Sequence, residues 1–417
     1  MVRKAWIRGT HVMANAKLWG LTLLERNIRE LEKLGVREVI IEARAGEDPS
    51  KQFCLDLPSS MKVTLKHTSR ETPFSDLTEL LHDSKELLLV IEGHALNDRR
   101  LMRTLLASES PIGVFPRSGS SRAAAAVVDH SNMSLFTESK TDDLTTTLLD
   151  AMKLGKLSQM DLNDFNPYID NLRRRISPYL LAVKSNIDLE EADNLLRLTV
   201  HKGVLEFVAK YIHPPLEFGA VRWLTCTPIT PNQITIAWLI LGALVIPLFA
   251  KGYLLTAAVL AALCGVMDGI DGKLARLTLQ YSKVGDLLDH IGGTLYDAIW
   301  YVAIGWYFIV TDPRPSAEMY ATILFFAYLV ERAVPGIFRK LHGSEIYDYE
   351  DIDIFVRFVG SRMNNNIWLF MLGTLFGLAE ETFYFISIWM LATATWHTLR
   401  LIYVTLKTKT NKPALAN

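Results

Sequence analysis

Two aspartates lie three residues apart where a long apolar stretch ends, in the run Asp268-Gly-Ile-Asp271-Gly272. Residues at this spacing share one face of a helix, so both carboxylates would point the same way. Asp289 lies near the start of the next apolar stretch and can approach them from a neighbouring helix. Acidic side chains are expensive inside membrane segments, and clustered carboxylates repel one another, so a cation is their natural partner. Carboxylate oxygens favour Mg²⁺, Mn²⁺ or Ca²⁺, and the diphosphate of a nucleotide would complete the shell of a magnesium ion.

The residues around these aspartates extend the pattern to D-x-x-D-G-x-x-A-R, followed after eight residues by G-x-x-x-D. Gly272 and Gly285 carry no side chain, so a helix or a ligand can come close at both points. Arg276, one turn beyond Asp271, is placed to meet phosphate oxygens. Two carboxylates at helical spacing are commonly a solvated face, whereas the whole pattern at a membrane boundary indicates a site for metal and nucleotide.

Membrane helices must hold these residues. From about Asn232 onward, apolar stretches with few charges predict an all-α transmembrane bundle, with spans at 233–250, 253–270, 286–310, 317–336, 366–380 and 382–404. Basic residues concentrate on one side of these spans, and the other side has little beyond Lys251 and Arg314. We therefore expect the basic side, both termini and the active site to face the cytosol. The residues on the basic side are Lys273, Arg276, Lys283, Arg339, Lys340, Arg357, Arg362, Lys407, Lys409 and Lys412.

The first half of the chain has a mixed, charged composition with alternating helix and strand patterns. An amphipathic helix at 23–36 and short buried strands such as REVIIEAR and ELLLVIEG predict a doubly wound α/β soluble domain over residues 1–150. Residues 151–229 predict a helical connector with a juxtamembrane amphipathic helix, and an ordinary linker packed on the soluble domain is the alternative. Residues 230–417 then form the six-helix transmembrane bundle.

The composition of the chain narrows the classes of protein to which it can belong. The formal net charge of −1 gives no support for nucleic-acid binding. Cys54, Cys226 and Cys264 lie far apart without C-x-x-C spacing, so they predict neither a disulfide framework nor a zinc site. The first residues lack a continuous apolar core and a small-residue cleavage site, so we expect no secretory signal and a cytosolic N-terminal domain.

The aspartate pattern resembles the signature of the CDP-alcohol phosphotransferase family, also called CDP-alcohol phosphatidyltransferases, and the match begins at Thr230-Pro231-Asn232. The resemblance implies a homodimeric inner-membrane enzyme of phospholipid or polar head-group synthesis. Such an enzyme holds a CDP-alcohol on two Mg²⁺ (or Mn²⁺) ions, lets a hydroxyl of a lipid or polar alcohol attack the phosphorus attached to the donor alcohol, and releases CMP. The implied metal ligands are Asp268, Asp271 and Asp289, of which Asp289 is also catalytic. The implied nucleotide site comprises Asn232, Asp268, Gly272, Ala275, Arg276 and Gly285. A helix cap is an equally good explanation of Asn232.

One position departs from the family signature. The fourth family aspartate, a metal ligand and acceptor base, corresponds to Gly293. Asp297 is a poor substitute, because four residues along a helix are about 6 Å from the required position. General bases contribute about 10²–10⁴-fold, so slow catalysis can survive with water or the substrate's phosphate taking the proton. The alternative is a catalytically impaired pseudoenzyme that binds CDP-alcohol or lipid.

The N-terminal half carries a second, weaker resemblance. The run KLWGLTLLER, which starts at Lys17, resembles the early part of sugar-phosphate and inositol-phosphate nucleotidyltransferases. Fused to a CDP-alcohol phosphotransferase, such domains make the CDP-inositol that the membrane half consumes. A Gly-rich phosphate loop should precede Lys17, yet the ten residues from Trp6 contain one glycine. The expected metal aspartate is absent after ELLLVI; Glu92 at this point is a candidate metal ligand, although a surface residue is the simpler interpretation. We therefore expect a degenerate domain that serves as scaffold, dimer contact or regulator.

The acceptor site is predicted between the fourth and fifth spans. Arg339, Arg357 and Arg362 lie in this segment and are candidate ligands for a phosphorylated polar acceptor such as inositol phosphate. Anchoring of the bundle at the cytosolic lipid surface is their alternative role.

Overall fold

The computed structural model describes residues 1–57, 60–68, 73–84, 86–115, 123–161, 165–311 and 315–410, without the side chains of residues 171, 284, 289, 290, 409 and 410. The chain folds into two compact units. The first comprises residues 1–201 with 277–279, and the second comprises residues 202–276 with 280–417. The predicted connector, residues 151–229, is thus divided between the two units.

The first unit contains both strands and helices. Its strands are β1 (Lys4–Arg8), β2 (Lys17–Leu18), β3 (Leu21–Thr22), β4 (Glu38–Arg44), β5 (Lys62–Thr68), β6 (Leu88–Glu92), β7 (Ala95–Asn97), β8 (Ile112–Val114), β9 (Ala125–Val128), β10 (Ser158–Gln159), β11 (Tyr168–Ile169), β12 (Arg174–Arg175) and β13 (Leu180–Ala182). Its helices are α1 (Leu23–Lys33), α2 (Ser75–Asp83), α3 (Arg99–Ala107), α4 (Met133–Thr137), α5 (Leu144–Lys153) and α6 (Asn186–Val200).

The main sheet of this unit has the strand order β10-β8-β9-β6-β1-β4-β5 among the described residues. Strands β5, β4, β1 and β6 run parallel, and β9 runs antiparallel to β6 and β8. Alternate strand residues enter two cores: Ile7 and Ile41 pack with α1 and α3, whereas Trp6 and Ile40 pack with α2 and α5. Both faces of the sheet are therefore covered, as continuous apolar strands require. The predicted α/β domain is confirmed, and β9 makes its sheet mixed.

The second unit is helical. Its helices are α7 (His213–Leu224), α8 (Pro231–Ala250), α9 (Leu254–Thr278), α10 (Lys283–Thr311), α11 (Pro315–His342), α12 (Asp351–Val359), α13 (Met363–Leu375) and α14 (Ala379–Thr410). Within the described ranges, three helices are long and apolar enough to cross a membrane, namely α8, α9 and α11. A helical C-terminal region with membrane-length helices is thereby confirmed. The predicted spans at 286–310, 366–380 and 382–404 fall on α10, α13 and α14 and stay predictions. Of the residues in the orientation argument, Arg314, Lys412 and the side chain of Lys409 lie outside the described part.

Helices α8 and α10, which carry part of the predicted site, pack closely together. A Cβ atom on Gly242 of α8 would lie 2.9 Å from the Tyr296 ring of α10, so glycine is what permits this approach. Trp238 packs edge-on against the same ring, with the centroids 6.2 Å apart. One turn further along α10, Trp300 lies against Phe249 at a centroid distance of 5.6 Å. This aromatic core fixes the two helices relative to each other.

Candidate active site

Asp271 is a buried carboxylate of the motif with two hydrogen-bond donors. It lies on α9 with a side chain that is 4% exposed. Its Oδ2 atom accepts hydrogen bonds from the Thr235 hydroxyl at 2.6 Å and from the Trp238 indole N–H at 3.0 Å, both on α8. A buried carboxylate needs such partners, and here they also fix its orientation. Asp268, three residues earlier on α9, is exposed and lines a cavity that Trp238 also lines.

Asn232 occupies the second position of α8 and is not its cap. Thr230 caps the helix: its hydroxyl accepts from the Gln233 backbone N–H, and the Gln233 side chain accepts from the Thr230 N–H at 2.9 Å. Asn232 Oδ1 instead accepts from the Ser282 hydroxyl at 3.1 Å, and Ser282 Oγ accepts from the Gly285 N–H at 2.8 Å. A Cβ atom at position 285 would overlap the Asn232 side chain. Gly285 is therefore required for this close approach, and the helix-cap explanation of Asn232 is wrong.

The remaining motif residues of α9 lie on one segment of that helix. The Arg276 guanidinium folds back over Gly272, so that a Cβ atom at position 272 would lie 3.1 Å from Arg276 Nη2. Ala275 and Arg276 are both partly exposed. The contact of Arg276 with a nucleotide phosphate stays a prediction.

The third predicted ligand, Asp289, lies within α10, but its side chain is outside the described residues, as is that of His290. The three-carboxylate cluster therefore stays a prediction. Among the residues whose side chains are described, no group of three or more His, Cys, Asp or Glu residues is placed to hold a metal ion.

A cavity of about 280 Å³ opens beside Asp268 within the helical unit. Position 293, where the family signature has its fourth aspartate, lies on its wall. A Cβ atom on Gly293 would have the Trp238 ring as its nearest neighbour, at 3.9 Å, so the wall has room for a side chain here. Asp297 lies one turn further along α10 and lines the same cavity. The complete lining comprises Glu206, Trp238, Cys264, Gly265, Asp268, Gly293, Thr294, Tyr296, Asp297, Arg332, Arg362, Met363 and Asn364.

Two arginines on the cavity wall are held by carboxylates. Arg332 forms an ion pair with Asp297, and its Nε atom donates to the Tyr328 hydroxyl at 3.0 Å. Arg362 Nη1 donates to Glu331 Oε1 at 3.0 Å.

Glu206, in the segment before α7, also lines the cavity. It accepts from Asn364 Nδ2 at 3.0 Å and pairs with Arg357 Nη2 at 3.1 Å. Burial alone would raise the pKa of Glu206, but the charges of Arg357 and Arg362 outweigh it and hold this pKa at about 2. Glu206 is therefore ionised at neutral pH.

The three predicted acceptor residues have different surroundings. Arg362 lines the cavity, whereas Arg357 lies behind it against Glu206. Arg339 has a side chain that is 71% exposed, pairs with Glu345 at 3.1 Å and does not line the cavity.

Several residues of this site escaped the sequence reasoning. Trp238 and Asn364 carry no signal of their own, since polar and aromatic residues are common in such helices. Thr235 belongs to the Pro231-Asn232-x-x-Thr start of α8, in which Asn232 alone was predicted to bind nucleotide. The adjacent charges Glu331 and Arg332 did carry one, because ionisable residues inside a predicted span mark functional sites by default.

The first unit has its own cluster of ionisable residues at the carboxyl edge of its parallel strands, where open α/β sheets bind ligands. Glu92 ends β6 and is only 4% exposed, so its interpretation as a surface residue is wrong. Burial raises the pKa of Glu92 to about 7 and lowers the pKa of His94, 3.5 Å away, to about 3. His94 stacks on His11, with ring centroids 4.2 Å apart. His11 belongs to the turn after β1, at the place in the sequence where a phosphate loop was expected.

Comparison with known protein families gives a match within the helical unit. Residues 228–340 match the model of the CDP-alcohol phosphatidyltransferase family. These residues are a CDP-alcohol phosphatidyltransferase domain, which confirms the family predicted from the aspartate motif.

Individual relatives are similar to this chain over different lengths. The chain is 30% identical over 171 residues to the bifunctional IPC transferase and DIPP synthase of Thermococcus kodakarensis, an alignment that covers 38% of this chain and 39% of that protein. The chain thus spans well under two thirds of that relative. The protein of the same name from Aquifex aeolicus is 21% identical over 416 residues, covering 89% of each chain. A crystal structure of phosphatidylinositol phosphate synthase from Mycobacterium tuberculosis with CDP-DAG bound is 17% identical, with a TM-score of 0.34, over 46% of this chain and 93% of that one.

Proposed function

We propose that this chain transfers a phospho-alcohol group from a CDP-alcohol to a hydroxyl acceptor at a membrane and releases CMP. The acceptor oxygen bonds to the phosphorus attached to the donor alcohol, the bond from that phosphorus to the bridging oxygen of CMP breaks, and CMP leaves with the electron pair. One observation carries this proposal: the motif carboxylate Asp268 and position 293, both within the residues that match the family model, line one cavity, and Arg362 lines it too. The test is release of CMP from CDP-alcohols by the purified full-length chain.

A divalent cation, Mg²⁺ or Mn²⁺ in two copies, suits the donor set. Asp268, Asp271 and Asp289 would hold it, because carboxylate oxygens are the ligands that these ions prefer. The hydrogen bonds from Thr235 and Trp238 onto Asp271 resemble the outer-shell contacts that orient metal ligands. When bound, the cation would neutralise the diphosphate and the charge that develops on CMP.

Removing the Thr235 hydroxyl is expected to weaken nucleotide binding through Asp271. In Thr235→Val, Asp271 loses a 2.6 Å hydrogen bond in a buried site, so Mg²⁺-dependent affinity for CDP should fall by about 10–100-fold. Calorimetric titration of CDP at fixed Mg²⁺ measures this change. Thr235→Ser is the matched control, since it keeps the hydroxyl and should bind like the parent chain. Equal affinity in Val and Ser variants would show that the hydrogen bond does not support the site.

The hydroxyl proton passes to water or to a phosphate oxygen of the donor, because Gly293 supplies no carboxylate. Asp297 shares the cavity wall, but its charge is already matched by Arg332. The pseudoenzyme alternative rests on Gly293, and the matched family and relatives give it no support.

The proposed protein is a homodimer in the inner membrane, with both termini and the active site in the cytosol. Each chain has three proposed parts: a soluble domain at 1–150, a connector at 151–229 and a membrane domain at 230–417. The asymmetry of basic residues between the two sides of the bundle supports the orientation.

We expect the first unit to have lost nucleotidyltransferase activity. Its turn after β1 holds Gly9 and the His11 ring where a glycine-rich loop would wrap a triphosphate. The full-length chain should therefore release no pyrophosphate from CTP in the presence of inositol 1-phosphate and Mg²⁺. A coupled pyrophosphate assay, with an active cytidylyltransferase as positive control, makes this measurement. Sustained pyrophosphate release that depends on inositol phosphate would refute the degenerate assignment.

A further inference from the structure

Every arginine described here on or behind the cavity wall forms an ion pair with a carboxylate. Each has a carboxylate partner within the helical unit: Arg332 with Asp297, Arg362 with Glu331 at 3.0 Å, and Arg357 with Glu206 at 3.1 Å. Glu206, Asp268 and Asp297 also line the cavity themselves. Apart from Asp268, which we assign to the cation, the wall therefore offers two carboxylates, Glu206 and Asp297, and two arginines, Arg332 and Arg362, and both arginines are paired.

Such a wall suits a phosphorylated acceptor poorly. A phosphate monoester carries about −1.5 to −2 charges at neutral pH. It would have to displace a carboxylate from an arginine, and the displaced carboxylate would stay in the same low-dielectric site as an uncompensated charge. Like charges brought together in this way are a means by which sites reject a ligand.

An uncharged polyol fits the same groups. Its hydroxyls can donate to Glu206 and Asp297 and accept from Arg362, Arg332 and the Asn364 amide without separating any ion pair. The cavity of about 280 Å³ lies just below the roughly 300–1,000 Å³ range for small-molecule sites. It therefore suits a head-group-sized molecule better than the body of a lipid.

We propose, on the basis of the proposed transferase function, that the acceptor is an uncharged, polyhydroxylated alcohol and not a phosphorylated one. This replaces the sequence-based expectation that the arginines between the fourth and fifth spans bind a phosphorylated acceptor.

The test uses the full-length chain in detergent with Mg²⁺, a panel of CDP-alcohol donors, and matched acceptor pairs: inositol with inositol 1-phosphate, and glycerol with glycerol 3-phosphate. We expect CMP release to depend on the uncharged member, with a kcat/KM at least tenfold above that of its phosphorylated counterpart. A preference for the phosphorylated member in either pair would overturn the inference and leave the transferase function standing. No acceptor-dependent CMP release with any donor or acceptor would overturn both.

A pair of variants tests the physical reason. Glu331→Gln removes the charge that neutralises Arg362, so the ratio of kcat/KM for phosphorylated over uncharged acceptor should rise about tenfold. Glu345→Gln makes the same change at the partner of Arg339, outside the cavity, and should leave the ratio unchanged. Should Glu331→Gln fail to fold, Asp297→Asn makes the equivalent change at Arg332. An unchanged ratio in a folded cavity variant would contradict the charge-matching argument.

Discussion

Replacing Asp271 with asparagine is expected to lower CMP release by about 10²–10³-fold, the range seen when one preorganised electrostatic group is removed. Asparagine keeps the size of the side chain but loses its charge, in a position that is 4% exposed. If its amide oxygen accepts the hydrogen bonds from Thr235 and Trp238, its amide nitrogen replaces the other carboxylate oxygen and cannot bind a metal ion. Initial rates of CMP release across Mg²⁺ concentrations measure the loss, and a parallel melting curve confirms that the bundle is folded.

Asp286→Asn is the matched control for this experiment. Asp286 is an exposed carboxylate in the first turn of α10, it occupies a variable position between the motif residues Gly285 and Asp289, and it does not line the cavity. Its replacement should leave CMP release and Mg²⁺ dependence close to those of the parent chain. Equal losses in the two variants would mean that Asp271 acts through general charge or folding and is not part of the site.

Gly293→Asp is expected to act in the opposite direction, with tighter Mg²⁺ binding and CMP release faster by up to about 10²-fold, the lower end of general-base contributions. Position 293 lies on the cavity wall, where a Cβ atom would lie 3.9 Å from the Trp238 ring. The new carboxylate would lie one turn from Asp289. The change also relieves part of the roughly 1 kcal/mol that glycine costs inside a helix, although desolvation of the carboxylate opposes this gain.

Gly293→Asn is the control, since it adds a side chain of the same size without the charge. In the aspartate variant, turnover should rise and less Mg²⁺ should be needed for half-maximal activity. The asparagine variant should show neither change. If both variants behave like the parent chain, position 293 does not face the metal site and the correspondence with the fourth family aspartate is wrong.

Features encoded locally could be predicted from the sequence. The helix at 23–36 is an example: Thr22 caps α1 through the Glu25 N–H at 3.1 Å, and Gly35 follows its end with a φ of +91°. The aspartate motif is also local, because a three-residue spacing on one helix already places Asp268 and Asp271 on the same face.

Contacts between distant parts of the chain could not be predicted. Trp238 and Asp271 are 33 residues apart, and Asn364 and Glu206 are 158 residues apart, yet each pair is joined by a hydrogen bond. The type of a residue does not indicate which distant residue it will contact, so only the packing of the helices reveals these pairs. For the same reason the arginines between the predicted fourth and fifth spans looked like free cations, although Arg357 and Arg362 each have a carboxylate partner.

Glu92 shows a related difficulty in the α/β domain. A glutamate at the end of a strand is commonly solvated, which is why a surface position was expected. Strand β6 lies inside the sheet between β1 and β9, and Glu92 accepts from the Leu144 N–H at 3.2 Å. Burial at a strand end depends on the neighbouring elements and not on the strand itself.

Tracing the two phosphates of the donor tests the transferase function most directly. CDP-alcohols labelled separately at the phosphorus next to the alcohol and at the phosphorus next to cytidine are incubated with the full-length chain, Mg²⁺ and the acceptor panel. The proposed function predicts that the first label appears in the acceptor product and the second in CMP, in equal amounts. Saturable Mg²⁺-dependent binding of CDP-alcohol with no label in any acceptor product would contradict it.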